Sequence, residues 1–298
     1  MRGHAHGKII LVGEHSVVYG HPAIAMPFEA GRVTCRLEKG GDDWLVSHFH
    51  EGPLESAPSL FDPIKTLILT LQKHLGIGPF IHELKSEIPV GAGLGSSAAI
   101  AAAIIRAYFH KADRELADEH LFDWVQFSEK LAHDNPSGID ALTVIHDHPW
   151  YFTKADREPI HTTLDAYLVI ADTLERTATR EAVGHVASHK ATKRFNTAMK
   201  ILHEQVLTSK SALKEKNLQS LAAAMNKAMD ALASLGLSTP TINAFVETAK
   251  LNGALAAKLT GAGMGGCIIA LCESEHDANN VRTRLEKAFK TTTWITHI

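Results

Sequence analysis

Residues 91–97 read Gly-Ala-Gly-Leu-Gly-Ser-Ser and run without a break into AAIAAAIIRA, a stretch of small apolar residues. Glycine opens backbone conformations closed to other residues and lets a ligand approach the main chain, whereas alanine and isoleucine on a repeating face favour a packed helix. The junction therefore predicts a helix N-terminus preceded by bare amides. Anions bind at such places, because free N–H groups and the positive end of the helix dipole converge there. No Lys-Ser or Lys-Thr follows the glycines, so this is not a Walker A loop, and phosphates would find their cation elsewhere in the chain. A dinucleotide fingerprint fits poorly as well. Ser96 replaces its third glycine, and a helix reaching His110 leaves no room for the strand that should carry the acid at Asp113. Alone, the loop reads equally well as a tight turn that caps a core helix.

Three further features bear on that choice. NPSGID (135–140) is a turn-rich hexapeptide ending in Asp140 just before an apolar run. By itself Asp140 reads as a turn or capping carboxylate. KLTGAGMGGC (258–267) holds a second glycine cluster, which alone reads as a hairpin because a strand follows. Glu129 lies beside the apolar stripe of its helix. A carboxylate there needs a cation or donors, so it is either a metal ligand or a boundary residue reaching solvent.

The elements that must position these residues are legible from periodicity. KIILVGEH (8–15) starts as a buried strand and breaks at Gly13; short strands follow at 23–28, 32–38 and 44–49. Residues 62–78 place Ile64, Leu67, Ile68, Leu71 and Leu75 at helical spacing, with Asp62 as N-cap, Pro63 at the first turn and Gly76 as the stop. A further amphipathic helix covers 121–133. AYLVIADT (166–173) is a buried strand, after which helical patterns dominate from Thr179 to about Gly253. Residues 254–272 read as strand, glycine loop and strand, and a charged helix (275–290) and a last strand close the chain. These patterns give two domains, 1–165 and 166–298.

The whole chain narrows the function classes. Its 298 residues are 45% hydrophobic and 21% charged, with no low-complexity tract, as expected of a globular protein. A net charge of −3 argues against nucleic acid or an acidic membrane surface as partner. Three scattered cysteines form neither a disulfide frame nor a zinc site, and the 19 histidines show no metal-ligand spacing. Without a membrane-length apolar run or a signal-peptide pattern, the chain reads as cytoplasmic and suited to small-molecule chemistry.

Taken together, KIILVGEHSVVYG, PVGAGLGSSAA, NPSGID and KLTGAGMGGC resemble the ordered motifs of the GHMP small-molecule kinases, and the resemblance runs through nearly the whole chain. Within that superfamily, GEHSVVYG points to the branch that phosphorylates mevalonate, in its short bacterial form; a galactokinase would carry an acidic residue after the His. The resemblance implies an α+β fold with an N-terminal domain like ribosomal protein S5 domain 2 and a ferredoxin-like C-terminal domain. It implies ATP and Mg2+ as cofactors, a small-molecule acceptor and, at family level, a homodimer.

The resemblance also assigns roles. Pro89, Gly91, Ala92, Gly93, Leu94, Gly95, Ser96 and Ser97 would cradle the ATP phosphates, with Gly261, Ala262 and Gly263 closing over them. Ser97 and Glu129 would hold Mg2+. Asp140 would face the acceptor hydroxyl with Lys8 beside it, and Glu14, His15 and Thr179 would line the acceptor side. Three departures stand out: Asp134 where many relatives have glycine, Met264 within the glycine run of KLTGAGMGGC, and DTLERTAT (172–179), which lacks expected glycines. Phosphomevalonate and homoserine kinases share the fold. Phosphorylated acceptors need more cations than Lys8, Arg176 and Arg180 supply. A non-catalytic ligand sensor is a further reading, against which the joint presence of Lys8, Ser97, Glu129 and Asp140 argues.

Overall fold

The computed structural model describes residues 1–133 and 136–298; Asp134, one of the three departures, lies outside the described residues with Asn135. The first half of the chain forms β1 (Arg2–Val12), β2 (Ala23–Lys39), β3 (Trp44–Val46), β4 (Glu51–Pro53), α1 (Asp62–Leu75), β5 (Phe80–Ser86), α2 (Ser96–Lys111), α3 (Asp118–Ala132) and α4 (Ile139–Thr143). The second half forms β6 (Trp150–Phe152), β7 (Arg157–Pro159), β8 (Tyr167–Asp172), α5 (Thr179–Ser188), α6 (Lys193–Glu215) and α7 (Leu218–Ser234). It ends with α8 (Pro240–Leu251), β9 (Ala256–Thr260), β10 (Cys267–Cys272), α9 (Glu275–Phe289) and β11 (Thr293–His297). Two compact units result, each discontinuous in sequence: residues 1–8, 31–89 and 95–147, and residues 9–30, 90–94 and 148–298. The expected boundary near residue 165 falls inside the second unit.

In the first unit, β5 pairs antiparallel with β2 from Val33↔Ser86 to Lys39↔Phe80 and parallel with β3, which pairs with β4. The strands expected at 23–28 and 32–38 are one strand, β2. Its Pro27 falls between the stretches that pair with β6 (Ala23–Ala25) and with β5 (Val33–Lys39), where its missing N–H is tolerated. Helices α1, α2 and α3 pack together. Asp62 is the first helical residue of α1 rather than its N-cap, which is Phe61, and Gly76 ends the helix at φ 68° as expected.

The alanines of α2 have a specific partner. A Cβ placed on Gly3 would lie 2.1 Å from the Ala103 carbonyl oxygen and 2.4 Å from the Ala107 nitrogen. Strand β1 and helix α2 therefore meet backbone to backbone, which only small residues on both sides permit. Arg106 fastens the contact, donating to the carbonyls of His4 (2.7 Å) and Ile145 (3.0 Å). Lys8 stands five residues beyond Gly3 on the same strand.

In the second unit, β11-β8-β10-β9 form an antiparallel sheet. Strands β9 and β10 are buried throughout, which explains their near-continuous apolar sequences. Helices α7 and α8 pack on β9, and α9 on β8. Among the described residues no helix is long and apolar enough to cross a membrane.

Candidate active site

In the first unit the fold gathers Lys8, Gly95, Ser97, Glu129 and Asp140. Lys8 comes from β1 and is 4% exposed. Its Nζ meets Asp140 Oδ1 at 2.8 Å, and Asp140 is carried on α4, entered through Gly138 in a left-handed conformation. Glu129 reaches in from α3 and is also 4% exposed. Burial first and the charge of Asp140 second raise its carboxyl pKa to about 7, against a hydrogen bond from Ser97 and the charge of Lys8. Glu129 Oε1 is buried without a hydrogen-bond partner among the described residues. A buried carboxylate oxygen in that condition, beside a serine hydroxyl and a second carboxylate, suits a hard cation that takes oxygen ligands.

Helix α2 starts at Ser96 behind Gly95, which sits at φ 73°, and no side chain caps its first amides. Ser96 Oγ is buried and likewise without a partner among the described residues. A Cβ on Gly95 would lie 2.8 Å from Lys8 Cγ, so the last glycine of the loop is also what leaves room for the lysine.

In the second unit the first half of the glycine loop packs on the second glycine cluster, residues 258–267. A Cβ on Gly93 would lie 3.2 Å from the Thr260 carbonyl oxygen, and one on Gly266 would lie 2.9 Å from that of Ala92. Met264 occupies the left-handed region at φ 58°, with its amide donating to the Leu237 carbonyl at 2.7 Å. His15 also has φ 58°, and its Nε2–H donates to the Ala262 carbonyl at 2.7 Å, which fixes the tautomer. Burial is the main cause that lowers its pKa.

Glu14 is fully buried, and its partner is Lys258 of β9, itself fully buried; Lys258 Nζ donates to Glu14 Oε1 and, at 2.6 Å, to the Leu259 carbonyl. Lys258 was not singled out in the sequence, although a lysine in AAKLT, between apolar neighbours, carries the signal of a buried partner. Thr179 opens α5 and is exposed. Asp172, Glu175 and Arg176 form a bonded cluster that sequence reasoning did not anticipate. Pro89 ends the segment of the first unit that leads into the loop.

Two family models match the chain: the GHMP kinases N terminal domain over residues 62–148 and the GHMP kinases C terminal over residues 209–291. The chain belongs to the GHMP kinases and is an ATP-dependent small-molecule kinase with their two-domain fold. Its relatives narrow the group. The mevalonate kinase of Aeropyrum pernix is 31% identical, the match covering 91% of this chain and 88% of the relative. That of Pyrococcus horikoshii is 32% identical, covering 90% and 87%. The crystal structure of mevalonate kinase from Staphylococcus aureus MRSA252 superposes with a TM-score of 0.77 at 31% identity, covering 99% of this chain and 97% of that one.

Proposed function

We propose that the protein is a mevalonate kinase, transferring the γ-phosphoryl group of ATP to the C5 hydroxyl of mevalonate to give 5-phosphomevalonate and ADP. The observation that carries the reading is the Lys8–Asp140 pair at 2.8 Å, set beside buried Glu129 and the uncapped start of α2. The similarity to mevalonate kinases along nine-tenths of the chain supports the choice of acceptor.

Phosphoryl transfer passes through a loose transition state, so the protein's work is positioning and charge stabilisation. The amides of residues 91–96 bind phosphate oxygens, and Lys8 balances charge on the transferred group. Asp140 holds the acceptor hydroxyl. A carboxylate is a weak base towards an alcohol, so it takes the proton late, once the oxygen has begun to bond to phosphorus. Ser97 and Glu129 are the residues that would hold Mg2+, which when bound neutralises phosphate charge. His15 and Thr179 line the acceptor side. Glu14, joined to Lys258, acts there by holding the His15 turn in place. The protein works on a small molecule, without nucleic acid, in the cytoplasm.

The test is ADP release with Mg-ATP and, separately, mevalonate, phosphomevalonate, homoserine and galactose. Turnover on mevalonate alone, abolished in Asp140→Ala, is the expected result. Turnover only on another acceptor would overturn the assignment, and silence on all four would favour a ligand sensor.

A further inference from the structure

The segment from Asp172 to Thr177, which joins β8 to α5, lacks the glycines expected of it, and the structure gives those positions work. Asp172 is 3% exposed and grips Arg176 with both oxygens, Nη1 to Oδ1 at 2.7 Å and Nη2 to Oδ2 at 2.6 Å. Arg176 Nη1 also donates to the Glu175 carbonyl at 3.0 Å, and Nε donates to the Val90 carbonyl at 3.0 Å. Val90 immediately precedes the glycine loop. The arginine stem then lies over Gly91, with Cδ 3.3 Å from where a Cβ would stand.

The rest of the segment is bonded as firmly. The Glu175 carboxylate accepts from the hydroxyls of Thr239 (2.7 Å) and Thr241 (2.6 Å) at the start of α8. Thr173 and Thr177 donate to the carbonyls of Gly266 and Met264, each at 2.6 Å. All of these contacts lie within the second unit. The segment is a clasp between the second glycine cluster and the residue that leads into the loop.

We propose that Arg176, held by Asp172, is a positioning residue for the nucleotide phosphates: it fixes the Val90 carbonyl and so presets the conformation of the loop that binds ATP. The inference rests on reading residues 91–96 as the phosphate loop. Glycines are the residues that lose most freedom on ordering, so a loop held in place beforehand binds its ligand more tightly. Donor accounting separates this from direct phosphate contact. A guanidinium has five N–H groups, and four of those of Arg176 are taken by Asp172, Glu175 and Val90.

The experiment is calorimetric titration of Mg-ATP, without acceptor, into the full-length protein and into Arg176→Gln, Arg176→Lys, Asp172→Asn and the Asp172→Asn/Arg176→Gln double variant. Thermal unfolding checks that each is folded. The expected result is at least tenfold weaker binding in every single variant and no further loss in the double, because the two residues act as one unit. Arg176→Lys fails with the others, since lysine has neither the fork nor the Nε–H. In steady state, KM for ATP rises tenfold while kcat at saturation stays within threefold. Wild-type affinity in Arg176→Lys would mean that the charge acts on phosphate directly and would overturn the proposal, as would affinities within twofold of wild type in both Arg176→Gln and Asp172→Asn. Failure of the wild-type protein to bind Mg-ATP would instead remove the phosphate-loop reading beneath it.

Discussion

Lys8 Nζ and Asp140 Oδ1 lie 2.8 Å apart, yet the lysine side chain is 6% exposed and the aspartate 32%. The cation is shut in and the carboxylate is on the open side of the pair, as the proposed contact with an acceptor hydroxyl requires. Asp140→Asn keeps the shape and removes the charge. Expected are an ATP affinity within about threefold of wild type and a turnover lower by a factor on the order of 10² to 10⁴. On the proposed mechanism, in which its charge serves the phosphates, Lys8→Met should lower turnover and also raise KM for ATP. Single-turnover rates with nucleotide titrations measure both, and turnover within threefold of wild type in Asp140→Asn would remove it from the mechanism.

Gly95→Ala tests whether the loop and Lys8, the lysine proposed to serve the reaction, are one mechanical unit. The new methyl would sit 2.8 Å from Lys8 Cγ at a residue with φ 73°. Gly76 is a matched control, with φ 68° and open space around its Cβ position. Both variants should lose about 1–2 kcal/mol from the left-handed backbone. Only Gly95→Ala should lower kcat, by tenfold or more. Equal kcat in the two variants would separate Gly95 from Lys8.

The buried Glu14–Lys258 pair predicts a pattern of stabilities. Glu14→Leu or Lys258→Met alone removes one member of the pair from a site sealed from water, and each should destabilise the protein by about 3–5 kcal/mol. Glu14→Leu combined with Lys258→Met should recover much of that loss. Urea unfolding of the three variants decides the matter. Additive losses would mean that the two side chains are not energetically paired.

His82 predicts a pH dependence of stability. It is fully buried, its Nδ1–H donates to the Trp44 carbonyl at 3.0 Å, and its Nε2 accepts from the Tyr108 hydroxyl at 2.7 Å. Burial holds its pKa below the ordinary value, against the Trp44 carbonyl and the charge of Asp43. In the unfolded chain the ring takes up a proton near pH 6.5, whereas the folded one does not until lower pH. Its contribution is complete above about pH 6.5 and is lost as pH falls towards the folded value. The shift in urea midpoint between pH 7.5 and 5.5 should be smaller in His82→Gln. His15 and His21, also lowered, leave a residual slope. An unchanged slope would clear His82.

The local grammar was readable because it is written in short-range terms. Periodicity located α1 and α3 within a few residues, Gly76 marked a stop, and GAGLGSS followed by alanines announced α2 with its open start. The interleaving of the two units was not readable, because β1 and β2 pass from one unit into the other inside single strands, where composition does not change. Lys258 and the Asp172–Arg176 clasp escaped for a related reason. Their partners, Glu14 and the Val90 carbonyl, are 244 and 86 residues away, beyond any local pattern. Lys8 and Asp140 were paired only through resemblance, since nothing in either segment refers to the other.

On the proposed mechanism, strand β1 makes the size of a few core side chains a kinetic variable. It is pressed against α2 at Gly3 and presents Lys8 about 17 Å further along, at roughly 3.3 Å per residue. An extra methylene where Gly3 meets Ala103 or Ala107 would displace the strand as a rigid rod and move the ammonium with it. Variation in an alanine helix, usually read as neutral drift in packing, would here surface as altered turnover in a protein that still melts normally.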